Sequence, residues 1–231
     1  MKRLLVLAAV AASFGAAPAP ALATDECDGL EQCVPVHGPW VVVPTGSSVP
    51  RPRVEYQITC PRGYVAGGLD AELSHRAIDV GFLGRIGSPV NPGISTGRSV
   101  VFYASYVGAT ARAPSFRPHV GCMPGGGGGR VPTARTAFKP GQPAMRRVAQ
   151  VPVRPGSRTV AKSCLARETL VGASHAFGFY MRTPPTASLV ASVSGRQIVG
   201  GRSVRVAVSA DVEVAAVRAV VQVHAICGRV R

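Results

Sequence analysis

The amino-acid sequence predicts an all-β protein built as two tandem copies of a disulfide-bracketed, antiparallel β-sandwich module. Three observations predict it. Apolar and polar residues alternate at period two, the period of a strand with one buried face. The same short motifs recur in the same order in both halves of the chain. The six cysteines fall so that each half holds one widely spaced pair and a close pair remains near the N-terminus.

Residues 1–23 read as an export signal. Lys2 and Arg3 give a positive start, and Leu4 to Ala12 is apolar. Ala21-Leu22-Ala23 then supplies the small residues that signal peptidase requires, with cleavage before Thr24. The apolar run is too short to anchor the chain in a bilayer, and no second run of spanning length follows. No cysteine follows the cleavage point to carry a lipid. The expectation is a secreted protein, extracellular or periplasmic, with no integral membrane span after cleavage.

The two copies are set by a series of matches. Cys60 and Cys122 are 62 positions apart, and Cys164 and Cys227 are 63 apart. Arg51-Pro52 precedes the first pair as Arg154-Pro155 precedes the second. Gly97-Arg98-Ser99-Val100 recurs as Gly201-Arg202-Ser203-Val204, and His119-Val120-Gly121-Cys122 as His224-Ala225-Ile226-Cys227. Val65-Ala66-Gly67-Gly68 matches Leu170-Val171-Gly172-Ala173. One such match is weak, but this many at a nearly constant offset identify a repeated unit of about 75 residues. The chain then divides into an N-terminal segment (24–48), module 1 (49–124), a Gly/Pro/Arg-rich linker (125–150) and module 2 (151–231). Five consecutive glycines, Gly125 to Gly129, cannot hold a strand, because nothing offsets their backbone entropy. They also lack the Gly-Lys-Ser/Thr that a phosphate-binding loop needs.

Within module 2, Val204, Val206, Val208, Val212 and Val214 share one parity, while Arg205, Ser209, Asp211 and Glu213 take the other. The phase changes at Ala215-Ala216, a turn or bulge. Val217, Val221, Val223, Ala225 and Cys227 then point inward, and Arg218, Gln222 and His224 outward. Module 1 behaves alike. Phe116, Pro118, Val120 and Cys122 oppose Arg117 and His119, and Val54, Tyr56, Ile58 and Cys60 oppose Arg53, Glu55, Gln57 and Thr59. Lys162 breaks the pattern by sharing the parity of Cys164, which a bulge or a snorkelling stem would explain. No amphipathic helix is evident. The alternation fits two separate sandwiches or sheets shared between the halves.

A module this small needs a staple. A disulfide across it would contribute about 4 kcal/mol in the chain-entropy model. The expected pairs are Cys60–Cys122, Cys164–Cys227 and Cys27–Cys33, with other pairings left open. An oxidising compartment makes these bonds reasonable.

Each copy resembles a class of uncharacterised exported bacterial modules that open with Cys-Pro, run into Val-x-Gly-Gly and close near Ala-x-Cys. Cys60-Pro61 with Val65-Ala66-Gly67-Gly68 carries the opening, and Ala225-Ile226-Cys227 the close. Leu165, Ala173 and Val120 depart from it. The resemblance implies an extracellular β module and brings no reaction or site.

Charge sets the functional expectation. Lys and Arg total 26 against 11 Asp and Glu, and Val80 to Arg167 holds thirteen bases and no acid. The dominance of Arg over Lys fits a GC-rich, bacterial coding sequence, but that bias does not account for the scarcity of acids. Such a surface suits anionic polymers or cell-envelope components.

Other motifs weigh less. Gly93-Ile94-Ser95-Thr96-Gly97 has the spacing of a nucleophile elbow but lies between Pro92 and a strand pattern. His119 and Cys122 have a metal-like spacing, yet residues three apart on a strand face opposite ways. Asp25, Glu26, Asp28 and Glu31 lack the register of a calcium loop. Trp40 could stack on a sugar or pack the N-terminal segment onto module 1. No catalytic residue, metal ligand or cofactor is assigned. Arg117, His119, Arg218 and His224 are the candidate contact residues, the two histidines facing outward at matching places in the two copies. The leading expectation is a non-enzymatic exported protein. The alternatives are a secreted hydrolase using Asp70, Glu72, His75 and Asp79 and a structural envelope component.

Overall fold

The computed structural model describes residues 25–30, 32–83, 85–86, 97–109, 112–125, 135–136 and 145–229. The segment expected to be an export signal, Ser95 with its neighbours, and most of the glycine linker lie outside the described residues.

The chain is mostly β, and the described ladders are antiparallel. In chain order the first half contributes β1 (Val34–His37), β2 (Trp40–Val42), β3 (Arg53–Thr59), β4 (Tyr64–Leu73), β5 (Ile78–Leu83), β6 (Arg85–Ile86), β7 (Ser99–Tyr106) and β8 (Ser115–Pro124). After β9 (Arg135–Thr136) follow β10 (Met145–Val153), β11 (Gly156–Ser163), β12 (Glu168–Tyr180), β13 (Val193–Gly200), β14 (Ser203–Ala210) and β15 (Arg218–Arg229). A five-residue helix, α1 (Ala187–Ala191), and a 3-10 turn over Val212–Ala216 flank β13 and β14. The Thr186 hydroxyl caps α1 by accepting from the Leu189 amide.

A seven-stranded sheet runs through both halves. β8 carries β4 on one edge and β1 and β2 end to end on the other. β2 also pairs with β12, and β12, β15 and β10 complete the sheet. Two three-stranded sheets, β3-β7-β5 and β11-β14-β13, have the same strand order. β6 and β9 form a separate two-stranded ladder. Of the two arrangements the alternation allows, the halves share a sheet.

β1 and β2 are parted by Gly38-Pro39. Proline offers no amide to the ladder, and the Gly38 amide donates to the Pro118 carbonyl at 2.8 Å. The chain thereby steps to Trp40, which is 3% exposed and closed off from any sugar.

Two cores result. The first gathers Val54, Tyr56, Ile58, Phe102, Phe116 and Val120, and reaches Ala176 and Val220 of the second half. The second gathers Val160, Phe179, Val204, Val206, Val221 and Val223. Cys60–Cys122 and Cys164–Cys227 each tie the end of an outer-sheet edge strand to the long sheet, and Cys27–Cys33 closes the N-terminal loop. The expected cysteine pairs are the ones formed.

Several expectations need correction. β14 ends at Ala210, so Val212 lies in the 3-10 turn and is 80% exposed. The phase therefore changes before Val212. Val217 lies just before β15, half-buried against the second core, and the inward set of the strand itself adds Ala219 to Val221, Val223, Ala225 and Cys227. β10 opens at Met145, inside the stretch assigned to the linker, and β1 and β2 come from the N-terminal segment. Flanking residues are recruited because β8 and β15 would otherwise present bare edges. β11 pairs with β14 without interruption, so Lys162 is half-buried beside Val204 and no bulge explains it. Bulges fall instead in β4 between Ala66 and Gly68 and in β12 between Leu170 and Gly172. This aligns Gly68 with Gly172, one residue away from the sequence match.

Candidate functional site

Three loops at one end of the first half surround an open cavity of about 770 Å³. The β2–β3 loop supplies Ser47 and Arg51, the β4–β5 loop His75, the end of β7 Tyr106, and the β7–β8 loop Arg112. Among the described residues, no carboxylate lines it. His75 meets the Tyr106 ring edge-on, with centroids 6.3 Å apart, and shares a 2.9 Å hydrogen bond with Ser74. Beside Arg112, Ala113 is held at φ 53°, a left-handed conformation that costs an alanine about 1–2 kcal/mol. The Val43 amide donating to Pro114 at 2.8 Å keeps that loop in place. The result is a concave surface with two guanidinium groups, an imidazole and hydroxyls, which is the donor set for an oxyanion.

The Asp70, Glu72, His75 and Asp79 group does not act as one cluster. Asp70 accepts from the Asp25 and Ala71 amides. Glu72 lies 2.8 Å from His119 Nε2 and 3.4 Å from Arg117. His75 turns into the cavity, and Asp79 is exposed on β5.

The four candidate contact residues part company. Arg218 is exposed, its guanidinium 4.3 Å above the Tyr180 ring. Arg117 is half-buried and donates to the Gly38 carbonyl at 3.2 Å. His119 and His224 were expected on open strand faces but are 1% and 0% exposed. Both do point away from their own core. Period two tells which residues leave a core, but not what covers the face they enter.

Different segments cover the two faces. Over β8 lies the Cys27–Cys33 loop. It seats there because Gly68 and Gly121 carry no side chain; a Cβ on either would overlap the Glu26 carbonyl. Over β15 lies β3 of the first half. There the Gln222 amide meets the main chain of Gln57, accepting at 2.6 Å and donating at 3.0 Å, and also donates to Gln150 at 2.8 Å. Arg146 places Nη1 2.6 Å from both Glu55 Oε2 and His224 Nδ1. Since a guanidinium only donates, Nδ1 accepts, and His224 Nε2 carries the proton given to Gln222 at 2.6 Å. Burial, reinforced by Arg146, pushes His224 down to about 3.

Around His119 the geometry differs. Glu26 Oε1 is 3.0 Å from His37 Nε2 and 4.0 Å from His119 Nδ1. The two imidazoles meet edge-on with centroids 4.5 Å apart. Burial lowers the His119 pKa; His37 and Arg117 act the same way, and Glu72 and Glu26 oppose them.

No protein-family model matches the chain, and no curated protein or solved structure matches it either.

Sequence reasoning missed Arg51 and Arg112 as site residues, and Glu26, His37 and His119 as a group. Arg51 served only as a repeat marker, and Arg112 carried no local signal. Glu26 and His119 are brought together by the loop's seat on two glycines, which no spacing along the chain announces.

Proposed function

We propose that this protein is an exported, non-enzymatic β protein, a duplicated sandwich module, that binds anionic polymers at the cell envelope or outside it. The observation that carries this reading is the cavity that gathers Arg51, Arg112 and His75, with no carboxylate among its described lining residues. The distribution of acids supports it. Glu26, Glu55 and Glu168 are buried beside His37, Arg146 and Arg147, so they offset little of the exposed positive charge. Duplication is supported by the repeated order of the outer sheets, the matching disulfides and the matching bulges. Three disulfides, and no described helix long and apolar enough to cross a membrane, are compatible with an oxidising location. The hydrolase reading has less support, since Asp70 and Glu72 engage different partners from His75.

The test is titration of a fluorescent heparin oligosaccharide, used as a generic polyanion, at a series of salt concentrations. Binding at low salt should weaken steeply as salt rises. Replacing Arg51 and Arg112 together by Ala should weaken it about tenfold, the loss of about 1.4 kcal/mol of interaction. Absence of binding at low salt, or an unchanged affinity in the double variant, would overturn the assignment.

A further inference from the structure

We propose that Glu26, His37 and His119 form a site for a divalent transition-metal ion of the zinc type, which fastens the N-terminal disulfide loop to β8. The three ligand atoms lie within 4.8 Å of one another. Glu26 Oε1 stands 3.0 Å from His37 Nε2 and 4.0 Å from His119 Nδ1. A tetrahedral ion with bonds of about 2.1 Å needs ligand edges of about 3.4 Å, so the two edges from Glu26 need shifts of about half an ångström and the edge between the histidines must close from at most 4.8 Å.

Three further observations point the same way. First, His119 is 1% exposed, yet neither ring nitrogen has a hydrogen bond of acceptable geometry. An ion at Nδ1 would satisfy one nitrogen and set the proton on the other. That nitrogen, Nε2, lies 2.8 Å from Glu72 Oε1, and Glu72 is in turn held by Arg117 at 3.4 Å. A metal-binding histidine backed by a carboxylate is the usual outer shell of a zinc site. Second, the other half shows what a cation does at this place. His224 follows Gln222 and precedes Cys227 as His119 follows Arg117 and precedes Cys122. There Arg146 bridges the histidine Nδ1 and the Glu55 carboxylate, with both distances 2.6 Å. The ion would take the place of that guanidinium between His119 Nδ1 and Glu26. Third, all six cysteines are paired, so no thiolate competes for the metal. Among the described residues, the one other grouping of ligand-type residues, Cys164, Glu168 and Cys227, contains a disulfide and offers no thiolate. Side-chain exposure of 41% at His37 leaves an open direction for a fourth ligand, water or an incoming donor.

The test is calorimetric titration of zinc chloride into the untagged, disulfide-intact chain, with amide exchange of residues 25–37 as a second readout. One ion should bind per chain at micromolar or lower concentration, and exchange in the loop should slow. His37→Ala, at a partly exposed position that the core does not need, should weaken binding at least tenfold. Glu72→Gln should weaken it about 10–100-fold as a positioning effect. His175→Ala, on β12, should change nothing. Lack of binding at millimolar zinc, or equal affinity in His37→Ala, would overturn the proposal.

Discussion

Gln222 on β15 pairs through its side-chain amide with both main-chain groups of Gln57 on β3, at 2.6 and 3.0 Å. β3 is the edge strand of its sheet. An edge strand presents unpaired amides and carbonyls that invite another chain. Here a side chain from the other half caps that edge, so the contact between the halves is hydrogen-bonded and specific rather than only apolar.

Gln222→Ala leaves the Gln57 amide and carbonyl without these partners. Each buried orphan costs about 1–3 kcal/mol. The expected loss is about 3 kcal/mol, measured by urea denaturation. A loss below about 1 kcal/mol would mean that water replaces the amide.

Acid should destabilise the fold in two stages. His224 titrates near 3 when folded, against about 6.5 in an unfolded chain. Between those values the unfolded state binds a proton that the folded state refuses. Stability from this group is therefore complete above about 6.5 and falls as pH drops toward 3. His119 is shifted the same way. Burial alone would raise Glu55, but Arg146 and Arg53 outweigh it and hold its carboxyl low, so its contribution begins to be lost once the pH falls below the ordinary carboxylate range, in the lower part of the His224 window. His224→Gln should reduce the slope of stability against pH between about 6.5 and 4.5. An unchanged slope would assign that window to other groups.

Gly121→Ala should lift the N-terminal loop, because its methyl would overlap the Glu26 carbonyl. Amide exchange or limited proteolysis across residues 25–33 should speed up, while the Cys60–Cys122 core stays protected. Gly172→Ala in the second half meets only the Ile226 side chain, most closely its terminal Cδ1 at 3.1 Å, and should be mild.

The three disulfides should differ in weight. Loops spanning 62 and 63 residues give about 4 kcal/mol each in the chain-entropy model, and the six-residue loop about 2. Replacing Cys164 and Cys227 by Ala should lower the thermal midpoint well below that of the Cys27/Cys33 double variant. The reverse order would show that the N-terminal loop holds more of the structure than its contacts suggest.

Strand alternation located Val204, Val206 and Val208, and Val54, Tyr56 and Ile58, as core, because burial on one face imprints period two. Cysteine spacing located the staples. The other faces were not legible. Glu55 reads as a solvent residue between Val54 and Tyr56, yet it is 4% exposed, because the second half packs over it. The same limit hid His119 and His224. Arg51 and Arg112 share a cavity only because two loops far apart in the chain converge, and loop convergence leaves no periodic trace.

The continuity of the long sheet rests on β2, whose three residues bridge β8 and β12. Since the splice and the Gln222–Gln57 contact both come from residues outside 126–144, the covalent link there is not what joins the halves. Co-expressed as two fragments broken within that stretch, the polypeptide should reassemble by complementation into a non-covalent heterodimer. A solitary half would leave a sticky, aggregation-prone flank.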